Sequence, residues 1–464
     1  LLMYHTMVTM SEHFYYEHQG FWGGRKPYYH CSWLSIYPDS PEWNAYQAAD
    51  LEYSLGKYPL DGIFLDNACA SGGPGMRSQV GEEAIAHHQE GLRAAIKRAN
   101  PTGVLYPNYN TLTPMGLRTV SRAWDAHMLE GQHPVPQQHR SGPAWTVADF
   151  VTVARRVRGL TGKPFWPLMY TPQQYHKLGI AACGAAWGNP AGVIDRQYLQ
   201  FMDDVEEYVY SDDVYPAPES TVELASADPD LAATAALRLY PLTGTHDWVI
   251  QVVNGTEIDG RLAMREVELE LNLPQEDLAR RAWVLRPEAD AAEPITLTNP
   301  LRVNAGVWAV IIIGEELVPR VRTSPALIAP VPGERTDIEV GVRPWASAAS
   351  VPQMSLALPD GWLSSAAATP VDGVVRLSVT PPQDAATGNR EVALRVVSGS
   401  RVADLPLLLR VKPRVELTLG PDHFAATGTT EGATALEVAN NTSRPITGEV
   451  ALSPPDGWSA SPSS

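Results

Sequence analysis

Up to about residue 215, short apolar runs alternate with segments in which apolar residues recur at helical spacing. One such segment, PEWNAYQAADLEYSLGKY, carries Ala48, Leu51 and Leu55 on one helix face. The runs that read as strands are LLMYHTMV, GIFLDN, GVLYPNYN, DAHMLEG, PFWPLMYT and AACGAAWG. Strand–helix alternation predicts a parallel α/β sheet with crossover helices. A doubly wound sheet and a (β/α)8 barrel both fit, and six strands make such a barrel N-terminally truncated, with its missing strands upstream of Leu1.

Beyond residue 215 the pattern changes to closely spaced short strands with turn residues between them, which predicts all-β sandwich domains. The sequence PDGW ends at Trp362 and again at Trp458, 96 residues later, which indicates a repeated Ig-like unit. We interpret each of these tryptophans as part of a core, since it follows a Pro-Asp-Gly turn. The predicted domains are 1–215 (partial barrel), 216–318 (antiparallel sandwich), 319–413 (Ig-like) and 414–464 (a second, truncated Ig-like repeat).

Charge and composition narrow the classes of partner. The net charge of -17 argues against nucleic acid and anionic membranes, which both require a basic face. No run of about 18 apolar residues occurs, so no membrane span is expected. Neither a cofactor nor a metal is expected, because three cysteines without CxxC spacing give no zinc pattern. These cysteines are Cys31, Cys69 and Cys183.

Tyrosine and histidine are concentrated in the first part of the chain. Of the 18 tyrosines only Tyr240 lies beyond Tyr215, and of the 12 histidines only His246 and His423 do. Binding sites are built largely from aromatic and polar side chains of this kind. We therefore expect the chemistry of this protein to lie before residue 216.

Each predicted strand of the first part ends in a polar or aromatic residue. The carboxyl ends of parallel strands form the functional edge of such sheets. The six strand-end residues are His5, Asp66, Asn108, Glu130, Tyr170 and Trp187.

Two of these residues, Asp66 and Glu130, are carboxylates on different strands. Cleavage of a glycosidic bond needs two carboxylates, one as proton donor and one as nucleophile or base. Small residues after Asp66 leave room for a sugar ring. The alternatives are a helix N-cap or loop acceptor for Asp66 and a surface or ion-paired carboxylate for Glu130. Capping is disfavoured because the next helix is expected to begin near Gly81.

Further residues near these ends are predicted to bind substrate, with packing roles as the alternative. His5 and Asn108 would donate hydrogen bonds to sugar hydroxyls, and Trp187 would form the floor of the pocket. The remaining predicted binding residues are Asn67, His133 and Tyr170.

Two other aspartates and a pair of histidines are given structural roles. Asp61 and Asp125 begin their strands and so are expected at the opposite edge, as turn residues. His87 and His88 lie within a predicted helix and are interpreted as helix-face residues. The aromatic-rich stretch 12–30 is expected to be a loop.

The stretch YPLDGIFLDN resembles strand 4 of (β/α)8 glycoside hydrolases, where a hydrophobic strand ends in the nucleophilic Asp. In the α-galactosidase-like clan the acid/base lies at the end of strand 6, and counting onward puts Glu130 there. On this count strands 3–8 are present. The PDGW units resemble Ig-like modules associated with α-galactosidases. The resemblance is to this clan or to a related, uncharacterised glycoside hydrolase family, and the clan's usual acid/base is Asp rather than Glu.

The resemblance implies a secreted or cell-surface glycoside hydrolase that acts on an oligosaccharide, polysaccharide or glycoconjugate with a retaining mechanism. Retention requires carboxyl groups roughly 5–5.5 Å apart, against about 6.5–9.5 Å for inversion. The alternative is a non-catalytic carbohydrate-binding or cell-surface protein on a decayed barrel. A metal-dependent hydrolase ranks below both, because clustered histidine ligands are missing from the strand ends.

Overall fold

The structure is a computed structural model that describes residues 2–6, 8–9, 28–30, 33–35, 37–58, 60–66, 74–108, 114–130, 146–163, 165–168, 196–211, 213–258, 261–324, 328–345, 351–420 and 435–449. The long strands of the first part pair in parallel, whereas the strands beyond residue 213 pair antiparallel, apart from one isolated parallel bridge.

The first part contains eight described strands and five described α-helices. The strands are β1 (Leu2–Thr6), β2 (Val8–Thr9), β3 (Tyr28–His30), β4 (Trp33–Ser35), β5 (Gly62–Asp66), β6 (Val104–Pro107), β7 (His127–Glu130) and β8 (Phe165–Leu168). The helices are α1 (Pro41–Lys57), α2 (Pro74–Ala99), α3 (Pro114–Val120), α4 (Val147–Thr161) and α5 (Arg196–Val209). The strand predicted at 181–188 lies outside the described residues.

The long strands of this part pair in parallel and in chain order. β1 pairs with β5, β5 with β6, and β7 with β8. An isolated parallel bridge between Asn108 and Met128 brings β7 beside β6. The short strands β2, β4 and β3 form a separate antiparallel sheet. The prediction of a loop for 12–30 is therefore wrong at Tyr28–His30, because these residues find an antiparallel partner in β4.

Capping chemistry accounts for the start of α1 and the end of α4. The hydroxyl of Ser40 accepts a hydrogen bond from the backbone N–H of Trp43 at 3.3 Å, which caps α1. Helix α4 ends at Gly162, whose left-handed backbone (φ 67°) suits glycine. Gly81, where a helix was expected to start, has a non-helical backbone (φ 73°, ψ 162°) that separates two helical stretches within α2. The longer stretch, 82–99, begins there as expected, and a shorter one, 74–80, precedes it.

Helices α1 and α2 cover one face of β5 and β6. The buried residues of this layer are Leu51, Leu55, Ile63, Leu65, Leu92, Ile96 and Leu105. Each such side chain contributes roughly 1.5–3 kcal/mol by leaving water. Because successive strand residues point to opposite faces, this layer also decides which residues of β5 and β6 face away from the helices.

Residues 214–314 form a six-stranded and a three-stranded antiparallel sheet around a shared core, together with a separate two-stranded sheet of β13 and β14. The elements are β9 (Val214–Pro216), β10 (Val222–Leu224), β11 (Leu231–Tyr240), β12 (Thr245–Asn254), β13 (Glu257–Ile258), β14 (Arg261–Leu262), β15 (Arg265–Leu271), α6 (Gln275–Leu278), β16 (Arg281–Leu285), β17 (Glu293–Ile295), β18 (Leu301–Ala305) and β19 (Trp308–Gly314). Strand β19 is buried on both faces, since Trp308 and Ile312 meet helices α4 and α5 while Ile311 meets the second sheet. Burial on both faces explains why the sequence of β19 is apolar up to its final glycine.

The remaining strands form a second two-sheet unit and a short hairpin. They are β20 (Arg320–Ser324), β21 (Thr336–Arg343), β22 (Gln353–Ala357), β23 (Leu363–Ser364), β24 (Val374–Thr380), β25 (Gly388–Ser398), β26 (Arg401–Val411), β27 (Val415–Gly420) and β28 (Ala435–Asn440). Trp362 follows a turn at Gly361 (φ 81°) and packs against this core, in agreement with its structural interpretation. Trp458 lies outside the described residues.

The three parts contact one another through buried charged side chains. Arg238 of β11 forms an ion pair with Glu207 of α5. Arg320 of β20 donates to the carboxylate of Asp204, also on α5, at 3.4 Å. The hairpin of β25 and β26 contacts the sandwich through Arg401, which lies 154 residues after its partner Asp247. The second two-sheet unit is therefore docked on the rest of the chain.

Candidate functional site

Strand β5 presents Asp66 on the face that the helices leave uncovered. Ile63 and Leu65 are fully buried in the helix layer. Phe64 and Asp66 alternate with them and are only partly buried. Because strand residues two apart share a face, Phe64 and Asp66 point together, away from α1 and α2.

Strand β6 continues this face beside β5. Its register aligns Phe64 with Tyr106, and the two rings lie 5.8 Å apart between centroids. Tyr106 is 7% exposed, and this burial raises its pKa above the ordinary range for tyrosine. The sheet face that carries Asp66 is therefore aromatic next to that residue. Phe64 and Tyr106 were not among the predicted site residues, although counting back two positions from each strand end would have found them.

Asn108 sits directly beside Asp66. Its side-chain Nδ2 donates a hydrogen bond to Oδ1 of Asp66 at 2.9 Å, and its backbone N–H donates to the carbonyl of Leu65 at 2.8 Å. Asn108 is 2% exposed and forms the bridge to Met128 of β7. The predicted strand-end residues Asp66 and Asn108 are thus brought together.

Glu130 is the last residue of β7 and stands two positions beyond Met128. Its backbone therefore lies at the same carboxyl-end edge as Asp66 and Asn108. β6 separates the two strands that carry the candidate carboxylates. The side chain of Glu130 lies outside the described part of the structure, so its predicted catalytic role stays a prediction.

The opposite edge of the sheet carries a carboxylate that is used structurally. Asp125, just before β7, accepts hydrogen bonds from Arg93 at 2.7 Å and from the backbone N–H of Leu105 at 2.9 Å. The hydrogen bond from Arg93 to Asp125 raises the pKa of that guanidinium. Asp125 lies at the opposite edge, as predicted for a turn residue, and in addition it ties a helix to two strands. The side chain of His88, within α2, is buried, and its Nδ1 lies 2.5 Å from Oδ1 of Asn44.

Other predicted site residues are only partly placed. β1 aligns Thr6, rather than His5, with Asp66. The side chain of His5 is not among those described, and its substrate-binding role stays a prediction. The remaining predicted binding residues lie outside the described residues: Asn67, His133, Tyr170 and Trp187. Cys31, Cys69 and Cys183 also lie there.

Three further observations on the described residues concern metal binding, membrane spans and a cavity. Among them, no group of three or more His, Cys, Asp or Glu side chains could hold a metal ion. In the same part of the chain, no helix is long and apolar enough to cross a membrane. A cavity of about 290 Å³ lies at the sheet edge opposite Asp66, between β6 and the hairpin of β25 and β26. It is lined by Asp61, Thr102, Val104, Glu391, Pro406 and Leu408.

Comparisons with known proteins return glycoside hydrolases among solved structures. No protein-family model and no curated protein matches the chain. A GH27 β-L-arabinopyranosidase from Geobacillus stearothermophilus matches with TM-score 0.39 and 11% identity, over 61% of this chain and 63% of that one. A GH36 α-galactosidase, AgaA, from the same organism matches with TM-score 0.36 and 11% identity, over 68% and 45%.

A third solved structure is the family 107 endo-fucoidan hydrolase MfFcnA4. It matches with TM-score 0.23 and 11% identity, over 86% of this chain and 63% of that one. The chain thus spans less than two thirds of the length of each of these three proteins. All three TM-scores lie below 0.5, so the function has to be inferred from Asp66 and its surroundings.

Proposed function

We propose that the protein is a glycoside hydrolase that cleaves O-glycosidic bonds with Asp66 as nucleophile and Glu130 as acid/base. The observation that carries this proposal is the strand-end carboxylate Asp66 held beside Asn108, with Glu130 ending the strand on the other side of β6. Paired carboxylates at the carboxyl-end edge of parallel strands are what this chemistry requires.

The proposed fold of residues 1–215 is part of a (β/α)8 barrel. A doubly wound sheet reverses its strand order at a switch point, whereas a barrel keeps chain order. The described parallel strands keep chain order from β1 through β5, β6 and β7 to β8, which favours the barrel. The proposed domains that follow are 216–318, 319–413 and 414–464.

The register supports convergence of the two carboxylates. Met128 aligns with Asn108, and Glu130 stands two positions later on the same strand, which supports a common face for positions 66 and 130. Strands β5 and β7 flank β6, which puts their backbones about 10 Å apart. The proposed retaining mechanism requires that the two carboxyl groups lie roughly 5–5.5 Å apart.

The proposed reaction has two steps. In the first, the Asp66 carboxylate attacks the anomeric carbon, the glycosidic C–O bond breaks, and Glu130 protonates the leaving oxygen. In the second, water gives a proton to Glu130 and its oxygen attacks the same carbon, which releases Asp66. The anomeric configuration is retained because the carbon is inverted twice.

The proposal extends to the substrate and its contacts. The substrate class is an oligosaccharide, polysaccharide or glycoconjugate, and the proposed location is secreted or cell-surface. The proposed binding residues are those predicted from the sequence: His5, Asn67, Asn108, His133, Tyr170 and Trp187.

The test assays the protein on aryl glycosides of both anomers and compares Asp66→Asn and Glu130→Gln with the wild type. Both variants should lose activity by several orders of magnitude. Added azide should restore turnover to an alanine variant at Asp66, with inversion of the product, because azide replaces the missing nucleophile. Wild-type rates from Asp66→Asn would show that the assignment is wrong. Glycan binding without any hydrolysis would favour the non-catalytic alternative.

A further inference from the structure

We propose that the exposed side of helix α1 is a second carbohydrate-binding site, which holds a neutral polysaccharide substrate outside the candidate active site. The aromatic platform consists of Tyr46, Tyr53 and Tyr58, with Lys57 between the last two. The choice of a carbohydrate as ligand rests on the proposed glycoside hydrolase function. None of these four residues was among the binding residues predicted from the sequence.

The three tyrosines of the aromatic platform are exposed. Tyr46 is 43% exposed, and Tyr53 and Tyr58 are each 49% exposed. The other side of the same helix carries Leu51 and Leu55, which are buried against β5 and β6. Because this other side joins α1 to the sheet, the outer surface of the three rings is open to a ligand.

The ring of Tyr46 lies flat on the protein. It stacks on Trp43, with ring centroids 5.7 Å apart and an angle of 22° between the ring planes. Trp43 is 5% exposed and belongs to the core, so it supports the tyrosine ring from below. One face of Tyr46 thus covers the tryptophan and the other points outward. Such a face is a surface on which the C–H groups of a sugar ring can pack.

Tyr53 and Tyr58 are arranged around one ammonium group. Nζ of Lys57 donates a hydrogen bond to the hydroxyl of Tyr53 at 3.2 Å. The same atom lies 5.4 Å from the ring centroid of Tyr53 and 5.3 Å from that of Tyr58. Cation–π attraction therefore orders both rings without burying them. Rings that are already ordered lose little conformational entropy when a ligand binds, which favours affinity.

The spacing of the rings suits an extended sugar chain. Tyr46 and Tyr53 are seven residues apart, which places them about 10.5 Å apart along the helix and, after nearly two turns, on the same side of it. The small residue Ala49 is exposed between them. Neighbouring sugar units of one chain can therefore contact the two rings together, and two linked contacts bind more tightly than either alone.

The charges around the aromatic platform match an uncharged ligand rich in hydroxyl groups. Asp50 lies three residues before Tyr53 and Lys57 lies four after it, so an acceptor and a donor flank this ring. Glu42, at the start of α1, accepts a hydrogen bond from the hydroxyl of Ser40 at 3.3 Å. One ammonium group beside two carboxylates does not attract an acidic polymer, and the net charge of -17 repels one.

The main experiment is native affinity electrophoresis in gels that contain soluble starch, xyloglucan or galactomannan, with polygalacturonate as an acidic probe. All proteins carry Asp66→Asn, so that the probe is not hydrolysed. At least one neutral gel should retard the parent protein. Adding Tyr46→Ala and Tyr53→Ala together should weaken that binding by about tenfold or more. Tyr53→Phe keeps the ring and should bind nearly as the parent does.

The matched control is Tyr215→Ala. Tyr215 lies on β9 and is 50% exposed, as much as Tyr53, but it is not part of the aromatic platform. This variant should be retarded as strongly as the parent protein. Equal weakening by Tyr215→Ala and by Tyr53→Ala would mean that any exposed tyrosine contributes, which would overturn the inference.

Three other results would also overturn it. They are retardation by none of the neutral gels, retardation by polygalacturonate alone, and equal retardation of the parent protein and the double variant. Sedimentation velocity tests a second copy of the chain as the occupant. A dimer that dissociates in Tyr53→Ala would make the aromatic platform a protein interface and would contradict a carbohydrate site.

A kinetic comparison separates this inference from the proposed function. In the chain with Asp66 intact, the double variant should keep its kcat/KM on an aryl glycoside, which is too small to reach α1 from the candidate active site. Its kcat/KM on the retarding polysaccharide should fall by about tenfold. An equal loss on both substrates would mean that the rings act through the fold, and would overturn the inference. Full activity of Asp66→Asn overturns the proposed nucleophile and leaves the binding result intact.

Discussion

Arg401 forms an ion pair in which both partners are withdrawn from water. Its side chain is 1% exposed, and that of its partner Asp247 is fully buried. Asp247 also accepts hydrogen bonds from the Tyr240 hydroxyl at 2.9 Å and from Arg280 at 3.0 Å. Arg401 comes from the hairpin of β25 and β26, whereas Asp247 belongs to the sandwich. The pair therefore joins two units of the chain.

The informative perturbation is Arg401→Met, because methionine keeps an apolar stem but removes the charged guanidinium, which lies over the Tyr240 ring. Removing one partner of a buried pair costs about 3–5 kcal/mol. Arg280 and Tyr240 continue to stabilise Asp247, so the lower end applies, about 3 kcal/mol. The matched control is Arg395→Met on the same hairpin: Arg395 bonds Asp404 at 2.8 Å, but these side chains are 38% and 33% exposed. Such a pair contributes about 0–1 kcal/mol.

Urea unfolding followed by tryptophan fluorescence, with calorimetry to separate the transitions of different units, measures the two losses. Burial raises the pKa of Asp247, and Arg401 opposes that rise. Without Arg401 the pKa of Asp247 in the folded state rises further. The loss of unfolding free energy in Arg401→Met should therefore be smallest at low pH and grow as the pH rises toward that pKa. Equal losses below about 1 kcal/mol in both methionine variants would refute this account of the interface.

Two further predictions concern other units. Burial raises the pKa of Glu207 to about 7, against the attraction of Arg238, so stability should fall by about 3 kcal/mol between pH 4.5 and 7. A plot of unfolding free energy against pH over this range should be flatter for Glu207→Gln than for the wild type. Parallel plots for the two proteins would contradict this account of Glu207. At Gly62 (φ 149°) an added Cβ would meet the carbonyl oxygen of Val104 at 2.1 Å, so Gly62→Ala should destabilise the parallel sheet by more than about 3 kcal/mol. Gly91→Ala, in open space on a helix, should instead stabilise by about 1 kcal/mol; calorimetry that ranks the two alike would contradict this.

The local elements of the first part follow closely from sequence. The apolar runs mark β1, β5, β6, β7 and β8, and Asp66 and Glu130 end their strands as expected. Asp125 was correctly separated from them because it precedes its strand. These features depend on residues within one or two turns or strand positions, where alternation, turn chemistry and capping act directly.

The face of the sheet to which each strand residue points could not be predicted in this way. Ile63, Phe64 and Leu65 are all apolar although their burial alternates, so the sequence of the strand carries no period of two. The helix layer shows that Ile63 and Leu65 face α1 and α2, while Phe64 and Asp66 face away. The shorter helical stretch that precedes Gly81 was not predicted from the sequence.

The sequence thus established where β1, β5, β6, β7 and β8 lie and that a carboxylate ends two of these strands. Asn108, 42 residues away from Asp66, was known as another strand end, but not as the donor to Asp66. That contact depends on the pairing register of β5 and β6, which is set by every hydrogen bond along the two strands together. The Arg401–Asp247 pair, 154 residues apart, depends in the same way on how two units dock. Long-range partners of this kind are chosen by burial and geometry, which no short stretch of sequence specifies.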